Sequence, residues 1–580
     1  GDCRGWLHEA AGARGVLICS AWGFEELCSR RSMASLANLI AAMGLPVLRF
    51  DFRATGDSGD EIGPDGLLET WRADLRHAAA FLRAACGVSE LTIIGLRTGA
   101  SLATQIAAEL ETDRLALLAP VVSGKAFARE LRALAQIARN GAAPGASAAR
   151  GSSEGSDAAG FELPREALAE LRDLDLTRLP RRPCPSVLIL TPNAPPLDAF
   201  ASCLKDLDAR VEIHEFRGYD QMMCDPTASE TPVAALQLVA DWSVRDAPPA
   251  RVAAALPATA DVIDGGGWIE EPARFGHSLT GVYARPKGPA PRRAALFLNA
   301  GAVHHIGWAR MHVAMARRLA RLGVASLRMD GAGIGDSAAD EEHKSLFASQ
   351  RRADVAAAID WLAAKGVREL TLVGACSGAH HAFHLACEDR RIQSVVLVNM
   401  VCILWGPSYA MQLRAWQATK TAEMQARGFG ADFEEGRNRI AALASLALPL
   451  AKKFAKSSFG ALKTLSALAA SGFGRVNSVE QKFRELAARG VQVNLVYSEY
   501  DAGLDELARY MGQDGARALL YPNVKRILIP DADHTLTQPH AREALAGVVE
   551  QAMGADMQAA PRQERSAPAD MLERSASRAS

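Results

Sequence analysis

Two stretches of the sequence, LTIIGLRTGA at residues 91–100 and LTLVGACSGA at residues 370–379, decide which fold this chain can adopt. In each, an apolar run leads into two glycines that flank one central residue, Arg97 in the first and Cys376 in the second. Glycines at these positions permit a cramped turn, so both stretches predict a buried strand, a tight turn and a helix. The two patterns lie 279 residues apart and indicate an internal repeat.

The same spacing relates a second pair of stretches, LRFDFRATGDS at residues 48–58 and LRMDGAGIGDS at residues 327–337. A period of this length is too long for a solenoid and suits a whole domain, so we predict two α/β domains in tandem. We place them at residues 1–245 and 263–553, with a proline- and alanine-rich linker at 246–262 and a disordered tail at 554–580.

Short strand-like runs alternate with helical stretches in both halves, which predicts a mostly parallel sheet flanked by helices in each. The main predicted strands lie at residues 16–19, 47–51, 91–94 and 115–118, and again at residues 295–298, 325–330, 370–373 and 395–398.

Composition excludes several classes of protein. The net charge is −1 and no basic stripe interleaved with aromatic residues appears, which argues against nucleic acid as a partner. Ten cysteines are scattered without a CxxC pair, a usage that fits reduced thiols and a cytoplasmic location. The longest apolar stretch, residues 441–451, is too short to span a bilayer, so we expect no transmembrane segment.

The turns at Gly95–Gly99 and Gly374–Gly378 resemble the nucleophile elbow of the α/β-hydrolase superfamily, particularly its serine aminopeptidase-like branch. The first half, with WGFEELCSRRSM at residues 22–33 and GLRTGA at 95–100, also resembles the exosortase A system-associated hydrolases. The resemblance implies two α/β-hydrolase-like domains, each with a lid insertion after its last predicted strand. The insertions would include a low-complexity run at 141–160 and an apolar, helical segment at about 404–491, although those helices could equally pack on their own domain.

A nucleophile, an acid and a histidine follow one another in the second half in the chain order that the superfamily uses. Cys376 would stand at a helix N-terminus, where the dipole and backbone amides favour a thiolate. Asp501 follows one strand and would orient His534, which follows the next and would move the proton. Taken singly, a cysteine or a histidine is more often an ordinary core or surface residue than a catalytic one. Ser377 is a rival nucleophile, but it lies one residue away from the centre of the turn.

An oxyanion hole is predicted from the backbone amide of Ser377 and an amide near Ala300 or Gly301, in the loop after the first strand of the second half. We predict no metal and no cofactor. Two histidine pairs, His304 with His305 and His380 with His384, have no evident third ligand in the sequence. We therefore interpret them as structural or substrate-lining residues.

The first half carries Arg97, Ala194 and Gln221 at the positions of nucleophile, acid and histidine. A guanidinium has no lone pair with which to attack a carbonyl, so this half is predicted to be a pseudoenzyme. Asp198 could supply an acid from a shifted position, although it could not replace the nucleophile. Arg97 would either bind an anion in the old pocket or close that pocket through an ion pair, and we favour the ion pair.

These residues predict an acyl-transfer enzyme that uses a cysteine to cleave an ester or thioester, either free or attached to a carrier. One alternative is an acyltransferase that moves an acyl group between thiol carriers, since a thioester exchanges readily with other thiols. A third possibility, of a different class, is a non-catalytic binding scaffold. The first half is also a candidate site for a protein partner.

Overall fold

The computed structural model of this protein describes residues 3–140, 156–192, 197–249, 262–338, 346–406 and 478–554. Several expectations fall wholly or mostly outside these ranges: the linker, the low-complexity run of the first half, most of the apolar insertion of the second half, the tail, and Ala194.

The first sheet is built from β1 (Gly5–His8), β2 (Arg14–Cys19), β3 (Val47–Phe50), β4 (Glu90–Leu96), β5 (Arg114–Leu118), β8 (Ser186–Thr191) and β9 (Arg210–Glu215). Its order is β1-β3-β2-β4-β5-β8-β9, with β1 antiparallel to β3 and the other pairs parallel. A small antiparallel hairpin joins β6 (Ser156–Ala158) to β7 (Phe161–Leu163).

Helices cover both faces of this sheet. They are α1 (Phe24–Ala42), α2 (Leu67–Cys86), α3 (Thr98–Ile106), α4 (Gly124–Asn140), α5 (Arg165–Arg172), α6 (Asp198–Asp206), α7 (Tyr219–Met222) and α8 (Val233–Val244). Successive residues of a strand point to opposite faces, which β2 shows directly. Leu17 and Cys19 belong to the core that contains α2 and α3, whereas Val16 and Ile18 belong to the core that contains α1 and α8.

The second sheet is built from β10 (Ile263–Asp264), β11 (Trp268–Phe275), β12 (Leu279–Pro286), β13 (Arg293–Phe297), β14 (Ala325–Asp330), β15 (Glu369–Ala375), β16 (Ile392–Val398), β17 (Gln492–Ser498) and β18 (Val524–Ile529). Its order is β10-β11-β12-β14-β13-β15-β16-β17-β18. The strands from β14 to β18 run parallel, and β10, β11 and β12 extend the edge in antiparallel pairing.

The helices of this half are α9 (Met311–Arg321), α10 (Gln350–Ala364), α11 (Ser377–Glu388), α12 (Ala502–Met511) and α13 (Pro539–Ala552), and residues 478–488 are also helical. Among the described residues, no helix combines the length and the apolar character that crossing a membrane requires.

The two sheets share one strand order, because β3-β2-β4-β5-β8-β9 corresponds to β14-β13-β15-β16-β17-β18. Every strand predicted from the sequence lies within, or within one residue of, an observed strand. This alternation of parallel strands and helices agrees with the predicted α/β architecture.

The sheets meet through buried ion pairs that join matching positions of the sequence repeat. Arg49 lies 2.7 Å from Asp336, and Arg328 lies 3.2 Å from Asp57. Arg49 and Arg328 are 279 positions apart, as are Asp57 and Asp336, so the two halves exchange equivalent contacts. This reciprocity is the pattern of an isologous interface, in which residue i contacts j and j contacts i.

A cation in each half completes the same arrangement. Arg30 binds Asp51 of its own half at 2.5 Å and Asp336 of the other half at 2.9 Å. His305 likewise lies 2.7 Å from Asp330 of its own half and 2.6 Å from Asp57 of the other. All of these side chains are buried, so each charge depends on its partners for compensation.

The charge on His305 should make stability depend on pH. Burial would lower the pKa of His305, but the carboxylates of Asp57 and Asp330 raise it well above its ordinary value of 6.5. Its contribution to stability is therefore fully present below about pH 6.5 and is lost as the pH rises through the raised pKa of the folded state. Arg328 also faces Asp57, at 3.2 Å.

We expect the free energy of unfolding of the wild type to exceed that of His305→Gln most strongly at or below pH 6.5, and the difference to shrink in alkaline solution. Urea unfolding of both proteins at a series of pH values measures this difference directly. A difference that stays constant across the range would mean that His305 does not carry the proton.

Candidate active site

Cys376 stands at the tight turn between β15 and α11. Its backbone has φ 54° and ψ −114°, in the positive-φ region that side chains rarely adopt. A Cβ at Gly374 would lie 2.4 Å from the backbone of Gly378, and a Cβ at Gly378 would lie 2.7 Å from the carbonyl oxygen of Asn299. Only glycine fits at these two positions, which is why the sequence pattern predicted the turn correctly.

Asp501 and His534 come from the two loops that follow β17 and β18. The Oδ1 atom of Asp501 caps α12 by accepting the amide hydrogen of Gly503 at 2.7 Å. Its Oδ2 atom lies 2.6 Å from Nδ1 of His534. Because the cap fixes one carboxylate oxygen, the other is held in place to orient the imidazole.

His534 joins Asp501 to Cys376. Burial would lower the pKa of His534, but hydrogen bonds with Asp501 and with Cys376, together with the charges of both, raise that pKa well above its ordinary value. The structure therefore brings together the three residues that the sequence analysis predicted as nucleophile, acid and histidine. An imidazole held between a carboxylate and a thiol is able to carry a proton to or from a reacting group.

Asn399 supports this arrangement, although the sequence analysis missed it. It follows β16 and is fully buried; its Nδ2 donates to the carbonyl oxygen of His534 at 2.8 Å. Its Oδ1 accepts the amide hydrogen of Ser498 at 2.7 Å, so one side chain ties the histidine loop to the end of β17. A polar residue directly after a buried apolar strand is the signal that could have identified it.

Ser377 begins α11, with its side chain turned to the neighbouring loop. Its Oγ accepts the amide hydrogen of Gly301 at 3.0 Å, and the residue is buried. Ala300 belongs to the same loop, where its carbonyl oxygen accepts the amide hydrogen of Val303 at 3.1 Å. The structure thus brings Ser377 and Gly301, two residues of the predicted oxyanion hole, together beside Cys376, with the amide of Gly301 bound to the hydroxyl of Ser377.

The histidines of α11 are bound to the backbone. His380 Nδ1 donates to the carbonyl oxygen of Cys402 at 3.0 Å, and His384 Nε2 donates to that of Ile403 at 2.8 Å. Burial lowers the pKa of His380 to about 2 and that of His384 to about 4, so both are neutral donors. These contacts agree with the interpretation of His380 and His384 as structural residues.

At the other pair, His304 and His305, the sequence showed no third possible metal ligand. The structure corrects this point, because it places Asp330 beside them. Their potential ligand atoms lie within 4.8 Å of one another, and all three residues are buried. Both ring nitrogens of His305 nevertheless face carboxylates, and its pKa is well above the ordinary value. The contacts of His305 are therefore those of an ion-paired anchor between Asp57 and Asp330.

Arg97 occupies the corresponding turn of the first half, between β4 and α3, with φ 52° and ψ −118°. The backbone conformation is thus nearly that of Cys376, while the side chain differs. Its guanidinium lies 2.6 Å from Glu25 and 2.5 Å from Glu130, and its centre is 5.5 Å from the ring of Phe127. Of the two alternatives for Arg97, the structure contains the ion pair.

Two other positions of the first half that the structure describes, Gln221 and Asp198, are both exposed. Gln221 lies in the short helix α7 and is exposed. Asp198, the alternative acid, begins α6 and is also exposed. Ala194 lies outside the described residues.

Replacing Arg97 should destabilise the protein. Arg97→Met leaves Glu25 as a buried carboxylate without its partner, which costs about 3–5 kcal/mol in typical proteins. Arg72→Met, which removes partly exposed pairs with Glu69 and Glu170, is a matched control and should cost about 1 kcal/mol or less. Equal losses in the two variants, measured by urea unfolding, would contradict the structural role of Arg97.

Comparisons with known proteins give matches only among solved structures. No family model and no curated protein matches this chain. An esterase of Pyrococcus furiosus, Pf2001, is 14% identical, with a TM-score of 0.32, over 49% of this chain and 93% of its own. Mouse alpha/beta hydrolase domain-containing protein 10 is 16% identical (TM-score 0.29; 49% of this chain and 97% of its own). Est1E of Butyrivibrio proteoclasticus bound to ferulic acid is 17% identical (TM-score 0.29; 50% and 97%). Each of these proteins thus spans about half of this chain.

Proposed function

We propose that this protein is an acyl-transfer enzyme of α/β-hydrolase fold that cleaves an ester or thioester through Cys376. The observation that carries the proposal is the 2.6 Å contact between Asp501 and His534, together with the effect of Cys376, which also raises the pKa of this imidazole. A chance cluster of buried polar residues would not also place the cysteine at a strained strand-to-helix turn.

The reaction has two steps. His534 takes the proton of the Cys376 thiol, and the sulfur attacks the acyl carbon, so that a carbon–sulfur bond forms. The bond between the acyl carbon and the leaving oxygen or sulfur then breaks, and the alcohol or thiol departs with the proton that His534 returns. The amides of Ser377 and Gly301 would hold the negative oxygen of the tetrahedral intermediate, with the amide of Gly301 exchanging the hydroxyl of Ser377, its present acceptor, for that oxygen. In the second step, His534 takes a proton from the acceptor, which attacks the thioester carbon. The carbon–sulfur bond breaks, and Cys376 recovers its proton from His534.

The acceptor decides between the two enzymatic alternatives. Water as acceptor gives a hydrolase, and a thiol gives an acyltransferase that passes the acyl group between free or carrier-bound thiols. The cysteine itself favours the second alternative, since a thioester exchanges readily with thiols and the superfamily commonly uses serine at this position.

The first half, in this proposal, is a degenerate copy of the second, with Arg97, Ala194 and Gln221 in place of the reactive groups. The shared strand order supports two tandem domains at residues 1–245 and 263–553. The second-half lid, the protein partner and the cytoplasmic location stay predictions from the sequence.

The experiment is to trap the acyl-enzyme. Incubation with a p-nitrophenyl acyl ester, followed by rapid acid quenching and peptide mass spectrometry, should add one acyl mass to the peptide that contains Cys376. Adding N-acetylcysteamine then separates the alternatives: a transferase yields the acyl thioester of this thiol, whereas a hydrolase still yields the free acid. Absence of both an adduct and turnover would favour the non-catalytic scaffold.

A further inference from the structure

The loop from Asn299 to Gly307, which we call the oxyanion loop, is fastened on one side by its own half. Asp330, at the end of β14, accepts hydrogen bonds from Nδ2 of Asn299 at 3.0 Å and from the backbone amide of His305 at 2.7 Å. The Oδ1 atom of Asn299 accepts the amide hydrogen of Gly331 at 2.9 Å. These bonds hold both ends of the loop against the sheet.

The first half fastens the same loop from the other side. The Oδ2 atom of Asp57 lies 2.6 Å from Nε2 of His305, so that this imidazole is clamped between one carboxylate of each half. Glu26 lies 3.3 Å from Nε2 of His304. The hydroxyl of Thr227 packs against Gly301. A Cβ added to this glycine would lie 2.4 Å from the hydroxyl oxygen.

Contacts of a residue just after the loop hold the chain in place where it leaves the loop. Arg310, three residues after Gly307, donates from its guanidinium to the carbonyl oxygens of Gly56 at 2.8 Å and Ser58 at 2.9 Å. Gly56 and Ser58 flank Asp57, so one segment of the first half binds both the loop and Arg310, which lies just after it.

The fastened loop carries a group that the proposed reaction uses, the amide of Gly301, which donates to the hydroxyl of Ser377 here and would turn to the oxyanion in the reaction. An oxyanion donor acts through its fixed position, and losing one typically costs about 10²–10³ in kcat. A displacement of about 1 Å of a positioned group can cost about 10²-fold. Whatever holds Gly301 in place therefore contributes to the rate.

We propose that Asp57 and Thr227 of the first half are positioning residues for the active site of the second half, and that they hold the oxyanion loop in its productive place. This inference rests on the proposed function. It gives the degenerate half a direct part in the reaction, beyond stability, even though Arg97 stands where a nucleophile would be.

The test uses the full chain and the variant Asp57→Asn, which keeps the size of the side chain and removes its charge. We expect kcat for a p-nitrophenyl acyl ester to fall on the order of tenfold, with little change in KM. Alkylation of Cys376 by iodoacetamide, measured on the same peptide, should change less than about twofold, because that displacement at carbon forms no oxyanion.

Asp336→Asn is the matched control. Asp336 occupies the equivalent position of the repeat and is equally buried, but it faces Arg30 and Arg49 of the first half. It should keep nearly full acyl turnover. Glu26→Gln serves as a second variant if Asp57→Asn fails to fold, and it should change turnover and alkylation in the same directions.

Three results would overturn the inference: full turnover in the folded Asp57→Asn protein, equal losses in Asp57→Asn and Asp336→Asn, or a parallel loss of alkylation and acyl turnover. Failure of the proposed function gives a different result, since Cys376→Ala would then retain turnover whatever Asp57→Asn does.

Discussion

Replacing Cys376 with alanine should abolish both the acyl adduct and turnover. Removing the nucleophile of an acyl-transfer site deprives His534 of the group that it serves, and such losses usually reach at least about 10³-fold. Ester hydrolysis and peptide mass spectrometry measure the two effects separately. Cys387→Ala, on the same helix and with a similarly half-buried thiol, is the matched control and should keep turnover near the wild-type value.

Serine variants locate the nucleophile more finely. Cys376→Ser should also be impaired, because a hydroxyl is deprotonated far less readily than a thiol in a site arranged for sulfur. Ser377→Ala removes the hydroxyl that faces Gly301 and leaves the backbone amide in place, so it should retain the adduct on Cys376. If Cys376→Ala were active and Ser377→Ala inactive, the nucleophile would be Ser377. Full activity in both would mean that the turn has no catalytic role.

The second large effect is expected at His534. His534→Ala should slow acylation by about 10²-fold or more, the usual scale for the loss of a general acid–base group. Asp501→Asn should act in the same direction, because its amide no longer stabilises the charged imidazole and favours the wrong tautomer. Stopped-flow release of p-nitrophenol gives the acylation rate.

His540→Ala controls for the loss of a histidine near the site. His540 is exposed and contacts the carbonyl oxygen of Pro530, so its replacement should leave acylation unchanged. An unaltered acylation rate in His534→Ala would show that the bond to Asp501 serves structure alone.

The sequence predicted the strands and the turns because those features depend on neighbouring residues. Glycine at 374 and 378 is required by contacts within the turn and with the adjacent strand end, and a repeat of 279 residues doubled the signal. The chain order of Cys376, Asp501 and His534 likewise follows the order of parallel strands, whose carboxyl ends meet at one edge of the sheet.

What the sequence did not reveal depends on contacts between distant positions. Asp57 and His305 are 248 residues apart, and nothing in either local pattern indicates that they meet. Asp330 was missed as a neighbour of His304 and His305 for the same reason: it ends β14, and only the pairing of β14 with β13 brings it to the loop. Asn399 follows a buried strand, but its partners Ser498 and His534 lie 99 and 135 positions further along the chain.

The reciprocal ion pairs between the halves have a consequence for the behaviour of the protein on dilution. Two separate subunits joined by Arg49–Asp336 and Arg328–Asp57 would dissociate at low concentration, whereas here one polypeptide carries both surfaces. A covalent connection gives each surface an effective concentration in the millimolar range around the other. An attraction too weak to sustain a dimer at nanomolar concentration is then sufficient to keep the two halves together, and each molecule contains both copies in fixed proportion.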